Sequence, residues 1–336
     1  MSPTTAAPKL KTSAMIASFA DPDQRTTAAP FGHALVRAAE ADDRIVGLSA
    51  DLAKYTDMHV FAQAMPERFF QMGMAEQLLL GAAAGLAEAG LVPFASTYSV
   101  FAARRAYDFL CLDAAEPGLN VNIVGGLPGL TTGYGPSHQA TEDVAIFRGM
   151  PGLTIVDPCD SVDIEQAVPQ LAASPGPTYL RLLRGKVPTV LDEYDYRFQL
   201  GKAAVLRPGA DVVFVSSGLM TMRALQAAER LAEHQVDVAV VHAPTLKPFD
   251  EATDSASPPI TVWFSSVTTS RSVRATRRIA SRSSGLIVGT CSTATSTWSA
   301  SSRAAACNAR IVIRPVEMNT TSRPVRSSAA FPSWNR

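Results

Sequence analysis

The chain has 336 residues, 47% of them hydrophobic, which is enough for two domains with a sizeable core. No apolar run approaches the ~18 residues of a membrane span, and Met1 to Pro30 lacks the charged-then-apolar order of a signal, so a cytoplasmic location is the default expectation. The net charge of zero hides two unlike segments: up to Asp254 there are 19 basic and 29 acidic residues, and from Ser255 onward 11 arginines face one acid, Glu317.

Residues 1–26 are polar and rich in Pro, Thr and Ala, and read as a disordered lead-in. Phe31 to Ala41 has helical spacing in Leu35, Val36, Ala38 and Ala39, and residues 44–49 read as a short buried strand. Helix Glu76–Ala89 then leads to strand 92–97, helix Val100–Ala114 to strand 120–124, and helix 142–148 to strand 153–156. Helix 160–172 and strand 178–182 complete the run. Apolar strands alternating with helices predict an α/β fold with a parallel sheet covered on both faces. Residues 187–203 read as a linker. Strand 211–216, helix 220–234 and strand 236–242 form one βαβ unit of a second domain, spanning 204–254.

After Asp254 the pattern stops. Residues 255–336 are dominated by Ser, Thr, Arg and Ala, with a single leucine and no Tyr, His or Asp. Three readings stand: a basic arm for nucleic acid, a disordered tail, or a shifted reading frame. The break falls inside an α/β domain and favours the last. Cys111, Cys159, Cys291 and Cys307 follow no metal-ligand or disulfide spacing.

The residues with chemistry cluster early. Glu76 heads an apolar, small-residue helix. An acid so placed can share a proton with a ring nitrogen, or simply favour the helix dipole. Tyr98 and Phe101, three apart after a strand, and Tyr107 beyond them, offer either a stacking platform or ordinary core. Arg104 and Arg105 could meet an anionic substrate or be solvated. The glycine-rich loop from Gly125 to Asp143 follows a buried strand, at the sheet edge where ligands bind in such folds, and carries His138, a candidate for proton transfer. Asp51 either orients a ligand or caps a turn. Arg181 and Arg184 close a strand and could face an anionic substrate or a partner subunit.

Five ordered segments resemble the pyrimidine-binding half of the transketolase family: Ser49-Ala-Asp-Leu52, Gly73-Met-Ala-Glu-Gln77, Ser96-Thr-Tyr-Ser-Val-Phe101, Arg105-Ala-Tyr-Asp108 and Gly135-Pro-Ser-His-Gln139. The match covers about residues 27–250, and 1-deoxyxylulose-5-phosphate synthase shares the same motifs. The resemblance implies a pyrimidine-binding domain over 27–186 and the start of a transketolase C-terminal domain. It implies two-carbon ketol transfer between sugars or sugar phosphates with thiamine diphosphate. In that likeness Glu76 matches the glutamate that hydrogen-bonds the cofactor's aminopyrimidine. Tyr98 and Phe101 match its stacking residues, Met74 and Asp51 lie beside the cofactor, and His138 stands near the substrate oxygens. Arg104, Arg105 and Arg184 would approach the substrate, with one extra residue blurring the register of the first two.

Three departures accompany the resemblance. The Gly-Asp-Gly…Asn motif that holds Mg²⁺ and the diphosphate is absent, which implies a split enzyme whose partner, an N-terminal transketolase subunit, holds the metal in an α₂β₂ assembly. Tyr134 stands four residues before His138, where aspartate is usual. Asp157-Pro158 stands where many members carry Arg-Pro, whose arginine grips a substrate phosphate. Two rival readings are the β subunit of a 2-oxoacid dehydrogenase and a non-catalytic, frame-shifted product.

Overall fold

A computed structural model describes residues 20 and 23–251 and the strands Thr261–Phe264 and Leu286–Val288. Its larger sheet has seven strands. In spatial order they are Thr245–Lys247, Thr154–Val156, Thr178–Leu182, Asn122–Gly126, Val92–Tyr98, Ile45–Ser49 and Phe69–Gln71. All neighbours are parallel except the first pair.

Alternation along the strands feeds two cores. Ile45, Phe94, Val124, Val156 and Leu180 face one side, where Phe31, Met58, Phe61 and Ile164 come from helices Pro30–Ala41, Met58–Ala64 and Ser161–Ala172. Val46, Ala95, Ile123, Ile155 and Tyr179 face the other, against Leu79, Ala102 and Phe147 from helices Glu76–Glu88, Ser99–Arg105 and Asp143–Arg148. Strands buried on both faces read as continuous apolar runs for this reason.

The chain leaves Ile45–Ser49 to one side, for Phe69–Gln71, and then returns past it to Val92–Tyr98. The crevice beyond the carboxyl ends of Ile45–Ser49 and Val92–Tyr98 is thus a topological switch point, the usual ligand position in open α/β sheets.

Two expectations are corrected. The single helix over 100–114 is three pieces: Ser99–Arg105, a break at Ala106 (φ −120°, ψ 12°), then Tyr107–Phe109 and a π-helical stretch, Leu110–Ala115. A π turn closes on the fifth residue, as in Glu116 N donating to Cys111 O, and so absorbs an extra residue without losing the helix. The strand pattern also continues beyond Asp254. Thr261–Phe264 pairs in parallel with Val212–Ser216, and Leu286–Val288 pairs with it in turn. They complete a second sheet in the order Leu286–Val288, Thr261–Phe264, Val212–Ser216, Val238–His242, Ala204–Arg207. The remaining residues of the tail, and the three readings of it, lie outside the described residues.

A polar seam joins the two sheets. Arg181, fully buried, donates to Asp143 (2.9 Å) and to Asp157 (3.0 Å). Asp157 accepts from Ser217 Oγ (2.9 Å), and its carbonyl accepts from Gly218 N (2.9 Å). His242 Nε2 meets Asp163 (2.8 Å) and its Nδ1 meets Thr221 Oγ1 (2.8 Å), while Tyr196 donates to the other oxygen of Asp163 (2.7 Å). Burying a charge is costly unless it is paired in this way. Arg181 therefore faces neither substrate nor partner, and Asp157 belongs to the seam.

Candidate active site

The switch-point crevice is a cleft of about 400 Å³ lined by Ala50, Leu52, Tyr55, Met74, Glu76, Tyr98, Phe101, Arg105, Tyr134 and His138. Each wall follows from a strand ending. Ser49 closes its strand and accepts from Leu52 N (3.1 Å), turning Ala50 and Leu52 into the cleft. Glu76 is the first residue of its helix, with its side chain 4% exposed. Tyr98 ends its strand, and Phe101 lies on the first turn of the helix that follows.

The aromatic rings form one cluster. Tyr98 and Phe101 have centroids 5.7 Å apart, and His138 stands edge-on to both, at 6.0 and 5.3 Å. Tyr134 packs on the His138 ring at 4.9 Å. His138 Nδ1 shares a hydrogen bond with Ser137 Oγ (2.9 Å). Tyr107 is not part of this platform: it stacks on Phe147 in the second core.

The two adjacent arginines have separate tasks. Arg104 pairs with Glu142, which it holds below the usual carboxylate range, and donates to Pro136 O (3.3 Å), so it ties down the loop that carries His138. Arg105 donates to Glu76 Oε1 (2.8 Å) while its guanidinium lies 3.9 Å from the Phe101 ring centre. A flat, donor-bearing group thus already satisfies Glu76 and the aromatic face together. Arg105 is half exposed, and a carboxylate has about four acceptor directions, so the pair has the chemistry to take a second planar donor such as an aminopyrimidine.

Asp51 is not part of the lining: between Ala50 and Leu52 it is exposed, in the left-handed region (φ 58°), with its N–H donating to Gln71 Oε1 (2.8 Å). Met74 is 80% exposed at the cleft edge. Arg184 is 4% exposed, with its guanidinium 5.3 Å from the Tyr55 ring centre, and its Nε has no hydrogen-bond partner. Sequence reasoning missed Tyr55 and Asp57. Asp57 is 1% exposed, and both of its carboxylate oxygens accept from Gly185 N (3.1 and 3.2 Å). Burial pushes it up to about 7, against the pull of Gly185 N–H and Arg184. No pattern in the segment from Lys54 to Met58 signals a buried acid.

Residues 23–189 match the transketolase pyrimidine binding domain, and residues 201–261 match the transketolase C-terminal domain. The uncharacterized transketolase family protein y4mN of Sinorhizobium fredii is 68% identical over 246 residues, covering 73% of this chain and 71% of that protein. The 6-deoxy-6-sulfo-D-fructose transketolase subunit SqwH of a Clostridium species is 44% identical over 218 residues, covering 65% of this chain and 67% of its own. A solved structure described as a split gene transketolase, inactive beta4 tetramer, superposes with a TM-score of 0.69 at 38% identity, covering 80% of this chain and 88% of that one. On the fold, the matched domains and these relatives, the chain belongs to the transketolase family.

Proposed function

We propose that the chain is the aminopyrimidine-binding subunit of a split transketolase, moving two-carbon ketol units between sugars or sugar phosphates. The observation that carries the reading is the convergence of buried Glu76, the Tyr98–Phe101 rings and His138 on one cleft at the switch point of a parallel sheet. Thiamine diphosphate, when bound, supplies the carbon nucleophile and electron sink for breaking a bond beside a ketone. The chain's own residues hold and shield. Glu76 keeps a hydrogen bond at a ring nitrogen, Tyr98 and Phe101 stack, and Met74 and Asp51 border the ring. His138 moves a proton at a sugar oxygen. Arg105 and Arg184 hold an anionic substituent, while Arg104 supports the loop.

The cleft supplies one half of such a site. A separate subunit, carrying the diphosphate and Mg²⁺ motif, fits the apolar apron beside it: Met74 just before helix Glu76–Glu88, Leu78 on that helix, and Phe109 and Leu112 on the segment packed against it, all exposed. An α₂β₂ assembly follows from this reading. The relative described as a beta4 tetramer is also described as inactive, which agrees with a need for a second chain type. The substrate class follows the same logic. A relative named for a sulfonated sugar and a buried arginine beside the cleft both favour a sugar bearing an anionic group.

A second reading, a frame-shifted product that folds but does not assemble, is favoured by the charge reversal at Asp254 and by a family match that stops at residue 261. Two tests decide. The chain is mixed with an N-terminal transketolase subunit that carries Gly-Asp-Gly and a later Asn, and assayed for ketol transfer and for 2-oxoacid decarboxylation. Ketol transfer by a stable heterotetramer is expected; decarboxylation alone would move the chain to the dehydrogenases. Resequencing the codons for Asp250 to Ser255 addresses the frame, and a clean, unshifted read sinks that second reading.

A further inference from the structure

We infer that Asp57 controls the charge that Arg184 presents at the cleft, so that the site binds an anionic substituent when Asp57 is protonated and releases it when Asp57 ionises. This rests on the reading of Arg184 as substrate-facing, and adds a regulating residue to it.

The geometry is a clamp between two segments. Arg184 and Gly185 leave the sheet after strand Thr178–Leu182, and Tyr55 and Asp57 lie just before helix Met58–Ala64. Gly185 N donates to both Asp57 oxygens, and Arg184, one residue earlier, lies over Tyr55. Asp57 itself cannot retreat. Its backbone sits at φ 57°, and its carbonyl oxygen would be 2.3 Å from a Cβ on Gly32, so helix Pro30–Ala41 is packed hard against it.

Two groups of opposite formal charge are therefore buried in one corner, near enough for Arg184 to pull on the Asp57 carboxyl but not in an ion pair. The carboxylate takes one backbone N–H, and the guanidinium keeps a buried Nε with no partner. A buried charge in this condition seeks either a counter-ion or neutrality. Asp57 is held by burial near neutral pH, where either state is accessible. Ionised, it neutralises Arg184 internally and repels an anion. Protonated, it leaves the guanidinium as an uncompensated cation beside the cleft.

The other titratable groups nearby are accounted for. Tyr98 is pushed up by burial, and Tyr55 and Tyr134 stand near it. His138 touches the Tyr98 ring, His59 lies two residues beyond Asp57, and exposed His33 and Lys186 follow Gly32 and Gly185. Because these groups stand nearby, a variant must isolate the contribution of Asp57.

The test is calorimetric titration of the full chain with sulfate, which does not change charge between pH 6 and 8. Wild type is expected to bind roughly tenfold tighter at pH 6 than at pH 8, and to take up about half a proton per sulfate at pH 7. Asp57→Asn should bind with nearly equal affinity at both values. Asparagine tolerates the left-handed backbone, and circular dichroism checks its fold. Arg184→Gln should lose the saturable phase, which separates it from sulfate taken up by the arginine-rich tail. Equal wild-type affinity at the two pH values overturns the inference. So does wild-type pH dependence in Asp57→Asn, or the absence of any Arg184-dependent binding. The wild-type proton uptake needs no variant. Neither thiamine nor a partner enters the experiment, so its failure leaves the Glu76 reading standing, and loss of ketol transfer would leave the sulfate result standing.

Discussion

Glu76 and Asp57 are both acids near one cleft, and their surroundings give them different work. Glu76 is met by a guanidinium and an aromatic face, so its carboxylate is presented as an acceptor. Glu76→Gln should lower kcat of the reconstituted enzyme about 10²–10³-fold with little change in thermal stability, because the isostere removes the charge and keeps the volume. Steady-state kinetics beside a melting curve check this. Asp57 has a folded-state pKa raised from 3.8 to about 7. A raised acid adds no penalty below its unfolded value, where both states hold the proton. As pH rises from about 4 to 7 the unfolded chain ionises first, and stability falls, by at most about 4 kcal/mol above pH 7. Asp57→Asn should therefore be more stable than wild type at pH 8, with the difference shrinking toward pH 4, as urea unfolding at several pH values would show. Equal stability at pH 8 would place the carboxylate in a better-solvated setting than its 1% exposure indicates.

At the scale of the element, helix Ser161–Ala172 shows how much one residue can organise. Asp160, its N-cap, accepts from Asp163 N (2.9 Å) at the helix start and from Val190 N and Leu191 N (2.7 Å each) in the segment after the sheet. Asp160→Ala removes a cap and strands two further donors, at a cost of about 3 kcal/mol measured by chemical denaturation. The existence of this helix was legible in the sequence from its apolar spacing, as were the strands at 92, 154 and 178, since burial on both faces leaves a run of apolar residues. The site was legible where short motifs follow strand ends: Glu76, Tyr98, Phe101 and His138 meet in one cleft. What was not legible has physical causes. Whether Arg104 or Arg105 faces the cleft is settled by their partners Glu142 and Glu76, both far away in the chain, which no periodicity announces. Arg181 and Arg184 lie three apart at one strand end, yet one is locked between two aspartates while the other has a buried unpartnered nitrogen. Long-range pairing separates them, and composition does not. Tyr107 reads like its aromatic neighbours but falls on the far side of the break.

At the scale of the molecule, the seam makes the second sheet a structural neighbour of the site. From Ser217 and Gly218 the polar contacts run through Asp157 and Arg181 to Asp143, the residue after Glu142, which Arg104 holds. The approach at Gly218 is close: a Cβ there would lie 2.5 Å from the Asp157 carboxylate, and φ is +55°. Asp163→Asn, which weakens the buried His242 pair, should cost about 3–5 kcal/mol. It should also split a single unfolding transition into two, read by monitoring the sheets with separate probes; one undivided transition would mean that the apolar contacts of Met222 and Phe198 suffice to couple them. The strand Thr245–Lys247 carries a different consequence. It follows strand Val238–His242 of the second sheet in the chain yet pairs with Thr154–Val156, and Lys247 Nζ donates to Arg148 O (3.1 Å), so it seals an edge of the first sheet. An excised fragment ending at residue 189, where the first family match ends, would leave that edge bare and prone to self-pairing. The smallest piece able to stand alone must reach past Lys247. Exchanging the second domain from Ala204 onward would therefore also remove an edge strand of the first.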